Sequence, residues 1–171
     1  ITLSMMLISM TIGTMITLMS THWLMAWVGL ELNTLSIIPI ITKPHHPRST
    51  EATTKYFLTQ AAASAMLLFA ATTNAWHTGT WDISQLTNPA ACIMFTMAIT
   101  MKLGLAPLHF WLPEVLQGTT LSTALIITTW QKLAPMGLMF LTYNSLNPTT
   151  LMMMGLLSAL VGGWGGLNQT Q

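Results

Sequence analysis

The chain has 171 residues, of which 52% are hydrophobic and 5% charged, with a net charge of +1. Soluble domains carry about 25% charged residues, so this chain has too few to cover a water-facing surface and reads as an integral membrane protein. The weak net charge excludes a nucleic-acid partner, and the single cysteine, Cys92, excludes an internal disulfide framework and offers no metal spacing.

The expected fold is all-α: a polytopic transmembrane helix bundle of about six spans, forming one domain over residues 1–171. The start at Ile1 and the plain polar end are what a piece of a longer chain, its N-terminal half, would show. A span needs roughly 20 apolar residues. The first runs from about Thr2 to Met19, and Ser20-Thr21-His22 turns the chain. The second runs from about Trp23 to Ile41, with Trp23 and Trp27 suited to an interfacial belt, Glu31 near the middle, and Pro39 ending it. The loop Lys43-Pro44-His45-His46-Pro47-Arg48 follows.

The third span starts near Ser49 or Thr50 and ends near Asn74, with Ser49-Thr50-Glu51 offering a cap and early negative charge. Glu51 and Lys55 stand at i,i+4, a pairing distance on a helix. The run Gln60-Ala61-Ala62-Ala63-Ser64-Ala65 makes a small-residue face for close packing. Trp76 to Pro89 reads as a polar loop holding Asp82. The fourth span runs from about Ala90 to Leu105 and breaks at Pro107. Continued to Gln117 it would be about 42 Å long, more than a hydrocarbon core of about 30 Å, so a broken helix with a short second half is expected. The fifth runs from about Thr120 to Tyr143, with Gln131-Lys132 near its middle and Pro135 just after. The sixth runs from about Thr149 to Leu167 and is glycine-rich at its end.

Lys43 and Arg48 fall in one loop, whereas the loops of the opposite face hold His22 and Asp82. The positive-inside tendency puts the Lys43/Arg48 loop on the cytoplasm-like side.

Of the nine charged residues, three lie at membrane depth: Glu31, Lys102 and Lys132. Each costs on the order of 2.5–3.5 kcal/mol on insertion scales. One reading is a static ion pair that holds helices together. The reading we favour is a proton or ion pathway. Burial disfavours the charged form of a lysine and a nearby carboxylate restores it, so a carboxylate at variable distance can switch a lysine between holding and releasing a proton. Glu31 is the one deep carboxylate, and its contact with Lys102 is an expectation.

The prolines support the same reading. A proline removes the hydrogen bond to the carbonyl four residues back. Pro107 would free the Leu103 carbonyl beside Lys102, and Pro135 the Gln131 carbonyl beside Lys132. Free carbonyls at depth call for water or side-chain partners.

His109, after the break, either extends such a wire or bonds to local backbone. Glu114 is expected as a surface or subunit contact. Arg48, Glu51 and Lys55 are expected to form a boundary ion network. His45 and His46 read as solvated loop residues, and no metal site is expected. The Asn168-Gln169-Thr170 sequon reads as chance. No phosphate loop, nucleophile triad, haem or Fe–S motif is present in the sequence, so no redox chemistry is expected of this chain.

The stretches Trp27-Val28-Gly29-Leu30-Glu31-Leu32-Asn33, Pro47 to Glu51, Lys55 to Ala61, Met101 to Glu114, Trp130 to Pro135 and Gly163 to Gln171 resemble the antiporter-like membrane subunits of mitochondrial respiratory complex I. The resemblance covers essentially the whole chain. It implies a proton-channel fold with a glutamate on one helix, a lysine on a broken helix and a lysine on the next. These match Glu31, Lys102 and Lys132. It implies that a further lysine on a second broken helix lies beyond Gln171. It also implies a multi-pass protein of the mitochondrial inner membrane with the Lys43/Arg48 loop in the matrix. Its partners would be other membrane subunits of the complex and membrane lipid. By the same resemblance this chain binds no cofactor, and NADH, FMN, Fe–S clusters and ubiquinone belong to the assembled complex. The enzyme expected is a proton-translocating NADH:ubiquinone reductase in which this chain is a subunit. An autonomous cation/proton antiporter and a structural membrane scaffold are the alternatives.

Overall fold

The computed structural model describes residues 1–43, 45–105 and 108–170. They form eight helices: α1 (Thr2–Leu18), α2 (Trp23–Thr42), α3 (Pro47–Thr78), α4 (Pro89–Leu103), α5 (Trp111–Gln117), α6 (Leu121–Thr129), α7 (Leu133–Thr142) and α8 (Pro148–Leu167). Short 3₁₀ turns occupy Ile83–Gln85 and Trp130–Lys132. Four helical stretches are long and apolar enough to cross a membrane: Trp23–Thr42, Pro47–Thr78, Leu121–Thr142 and Pro148–Leu167. Two shorter apolar helices, Thr2–Leu18 and Pro89–Leu103, accompany them.

The six expected spans therefore each correspond to a helical stretch, and their boundaries differ where capping decides. Helix α2 runs through Pro39 to Thr42 rather than stopping there. A proline deletes one backbone hydrogen bond, and the burial of Ile37, Ile40 and Ile41 around it keeps the helix going. Helix α3 begins at Pro47 because His46 is its cap: Nδ1 of His46 accepts from Arg48 N, while the Ser49 hydroxyl accepts from His46 N. Ser49 thus serves as the third residue of the capping pair, not as the cap itself. The helix continues past Asn74 to Thr78 and stops at Gly79, which takes φ +74°. At 32 residues it is about 48 Å long, so it overhangs a core of about 30 Å.

Two connections meet at one end of the bundle. Trp23 N donates to Trp81 O and Ile83 N donates to Thr21 O, both at 3.0 Å, and the His22 ring stacks on Trp81. The fully buried Asn74 fastens the same loop, donating to Gln85 O and accepting from Thr87 N. The α1–α2 and α3–α4 connections therefore share one face, as alternating spans require.

Helices α1 and α2 cross with their backbones nearly touching. A Cβ on Gly13 would lie 2.8 Å from Asn33 Oδ1 and 3.0 Å from the Gly29 carbonyl, so only glycine fits. Two apolar clusters fill the bundle. One gathers Trp23, Leu30, Leu67, Phe95, Ile99 and Leu138. The other gathers Met10, Ile37, Tyr56, Trp111, Val115 and Ile127. No residue of helix α8 is fully buried.

Candidate proton-transfer site

The site forms where helix α4 ends. The expected break lies here, and a glycine caps the helix. Gly104 adopts φ +74°, its N–H bonds to Met101 O, and Leu105 N bonds to Thr100 O at 3.0 Å. This pairing of a left-handed glycine with a six-residue closure stops the helix at Leu103. Pro107, to which the break was assigned from sequence, lies outside the described residues. The short second half exists as α5. Its Trp111 reaches back to donate to Met101 O at 3.0 Å.

A helix end leaves its last carbonyls without partners inside the helix and carries a partial negative charge. Lys132 uses both features. Its ammonium donates to Leu103 O at 3.0 Å. The Leu103 carbonyl beside Lys102, expected to take water or a side chain as partner, thus serves the other lysine. Lys132 itself sits in the 3₁₀ turn between α6 and α7, upstream of buried Pro135. The fifth span is thus interrupted where Pro135 removes the bond to Gln131.

Lys102 occupies the last turn of α4 and is only 5% exposed. Its Nζ donates to Gln60 Oε1 of α3 at 3.4 Å. Between the two lysines lies a cavity of ≈ 10 Å³, about the space one water needs. Its lining includes Asn33, Tyr56, Gln60, Lys102, Gln131 and Lys132. The Tyr56 hydroxyl donates to Gln131 Oε1 at 3.5 Å, and its ring meets Trp111 edge to face. Gln60 Nε2 is buried without a hydrogen-bond partner.

Glu31 does not complete an ion pair. Among the described residues the ion pairs are those of Lys55 with Glu51 at 2.9 Å and with Glu114 at 3.3 Å. Glu31 lies within electrostatic range of Lys102 and Tyr56. It does not line the cavity, and its Oε1 is buried and unpartnered. Among the described residues Lys102 makes no ion pair with Glu31, the contact expected from sequence; its ammonium bonds Gln60 of α3 instead.

At the boundary, the expected Glu51–Lys55 pair forms, with Arg48 beside Glu51. Glu114 of α5 joins Lys55, so it ties two elements of this chain together, while the exposed Arg48 side chain makes no ion pair among the described residues. His109 is stacked on Phe110 with Nδ1 buried and unpartnered, and it does not reach the cavity lining.

Sequence reasoning missed Gln60 and Tyr56. A signal for them exists: in the first half of α3, the residues Ser49, Thr53, Tyr56, Gln60 and Ser64 are buried, polar and spaced by three or four. That spacing places them on one helix face, which a search for charges alone passes over.

Comparison with known proteins agrees with this architecture. Residues 20–171 match the family described as NADH:quinone oxidoreductase/Mrp antiporter, transmembrane. The chain is 61% identical over 169 residues to NADH-ubiquinone oxidoreductase chain 2 of Oncorhynchus mykiss, covering 99% of this chain and 48% of that protein. It is 62% identical over 165 residues to the protein of the same name from Struthio camelus, covering 96% of this chain and 48% of that one. The chain thus spans about half the length of the curated relatives it matches. Among solved structures, a chain of respiratory complex I from Thermus thermophilus with bound aureothin superposes with a TM-score of 0.89 at 26% identity, covering 98% of this chain and 40% of that chain. On the match over residues 20–171, the chain belongs to the NADH:quinone oxidoreductase/Mrp antiporter transmembrane family.

Proposed function

We propose that this chain is a proton-translocating, antiporter-like domain of the membrane arm of respiratory complex I, in the mitochondrial inner membrane with the Lys43/Arg48 loop facing the matrix. The observation that carries it is the pairing of two lysines, Lys102 and Lys132, across a water-sized cavity at a helix break. Among the described residues neither lysine has a carboxylate within ion-pair distance. A static pairing scaffold would put a counter-charge there, since an unpaired buried charge is costly. Neutral amide and carbonyl partners leave each proton exchangeable.

In this reading Lys102 receives a proton, passes it through water in the cavity to Lys132, and Glu31 biases Lys102 through space. Electron transfer from NADH to ubiquinone, with its flavin and Fe–S clusters, takes place in other subunits of the complex. Moving one charge against 100 mV costs about 2.3 kcal/mol, which that partner reaction must supply.

Replacing Lys102 with Ala in the full-length protein should lower NADH-driven proton pumping about a hundredfold, the low end for loss of a positioned acid–base group. The complex should still assemble on a native gel. Normal pumping by the assembled mutant would remove Lys102 from the path. The family description also covers Mrp antiporters, so an autonomous cation/proton antiporter is the second reading. Migration of the chain as a small species apart from NADH-oxidising activity would favour it.

A further inference from the structure

We infer that Gln60 is a positioning residue that holds Lys102 competent to both take up and give away its proton. The inference rests on the proton-transfer reading above. Its starting point is an orphan. Gln60 is 5% exposed, its Oε1 accepts from Lys102 at 3.4 Å, and its Nε2 has no partner although the residue lines the cavity. A buried amide donor left unpaired is costly, so the site is incomplete without a second acceptor.

The chemistry of an amide supplies a reason for keeping it. An ammonium offers three donors and no acceptor, which the amide oxygen satisfies. A neutral amine exposes a lone pair, which the amide N–H₂ can satisfy after the side chain turns over. A carboxylate serves only the charged state, and an apolar side chain serves neither. Gln60 therefore offers a partner to both states of Lys102. When the carbonyl faces Lys102, the N–H₂ is free to donate to a water in the cavity.

The surroundings leave this role to Gln60. From α2, Glu31 acts on Lys102 through space and Asn33 lines the cavity. From α3, Tyr56 donates to Gln131 rather than to Lys102. From the α6–α7 turn, Lys132 is engaged by Leu103 O. From α5, Trp111 is engaged by Met101 O.

The test uses the full-length protein assembled in its complex, in sealed vesicles, with proton pumping followed from acid to alkaline pH. Gln60→Glu should hold the proton on Lys102. The expected result is pumping about tenfold slower at neutral pH, with the profile displaced to higher pH by about one unit, since one unit is a factor of ten in proton affinity. Gln60→Leu should lose rate by a similar factor without that displacement. Gln60→Asn, which keeps the amide, should retain more rate than Gln60→Leu. If Gln60→Glu does not assemble, the Asn and Leu variants decide: equal rates overturn the inference. So does a wild-type pH profile in an assembled Gln60→Glu complex. Lys102→Ala is run beside them. Loss of pumping there with normal Gln60 variants defeats only the role of Gln60, whereas normal pumping in Lys102→Ala defeats the underlying reading.

Discussion

At the scale of single residues, this chain contrasts charges held by charges with charges held by neutral groups. Lys55 at the boundary bonds two carboxylates, while the deep Lys102 and Lys132 bond an amide and a backbone carbonyl. The difference follows from surroundings. In the exposed network water screens each pair, which is worth less than about 1 kcal/mol. The expected outcome for Glu114→Gln is therefore small. The thermal midpoint of the solubilised protein should fall by no more than a few degrees, and a larger fall would show that the Lys55 link carries α5. Glu31, Lys102 and Lys132 were legible as unusual because charge is rare in an apolar run. Gln60 was not, because a glutamine at one position of a span carries no signal until its face is known.

At the scale of elements, the break after α4 organises everything around it. It frees the carbonyls that Lys132 and Trp111 use, and it sends α5 back against α3. The break depends on a backbone conformation that side chains with a Cβ resist. Gly104→Ala would force a left-handed residue at φ +74°, costing roughly 1–2 kcal/mol. Its Cβ would meet Leu112 only at ordinary contact distance, 3.4 Å, so the penalty is conformational, not steric. We expect Gly104→Ala to lower the unfolding midpoint in detergent and to slow pumping by displacing Leu103 O from Lys132. Unchanged stability would mean that the helix end is set by other contacts. The sequence suggested a break from length against membrane thickness, and the structure assigns its stop to Gly104. Pro39 shows the reverse case: a breaker by composition that neighbouring burial overrides.

At the scale of the whole molecule, the loops sort into two faces. His22 and Asp82 meet at one end through a backbone bridge. Glu51 and Lys55 lie at the start of α3, which follows the loop of Lys43, and Glu114 of α5 pairs with Lys55 there. With Cys92 replaced by Ser, single cysteines at Asp82 and Arg48 should react with an impermeant thiol reagent from opposite sides of sealed vesicles. Labelling of both from one side would overturn the topology. No residue of helix α8 is fully buried, Leu151 packs partly buried against the first cluster, and the glycines at its end have open space beside them.

Composition and periodicity alone determined the membrane class, the six helical stretches and the three deep charges. They could do so because a hydrocarbon solvent imposes length and charge rules readable residue by residue. What only the tertiary structure decided is who faces whom. Gln60 rather than Glu31 meets Lys102, the carbonyl freed beside one lysine serves the other, and Glu114 closes on Lys55 within the chain. These partners lie 42, 29 and 59 positions apart in sequence. Their meeting depends on helix rotation and crossing, which the shapes of packed side chains set and no local pattern encodes.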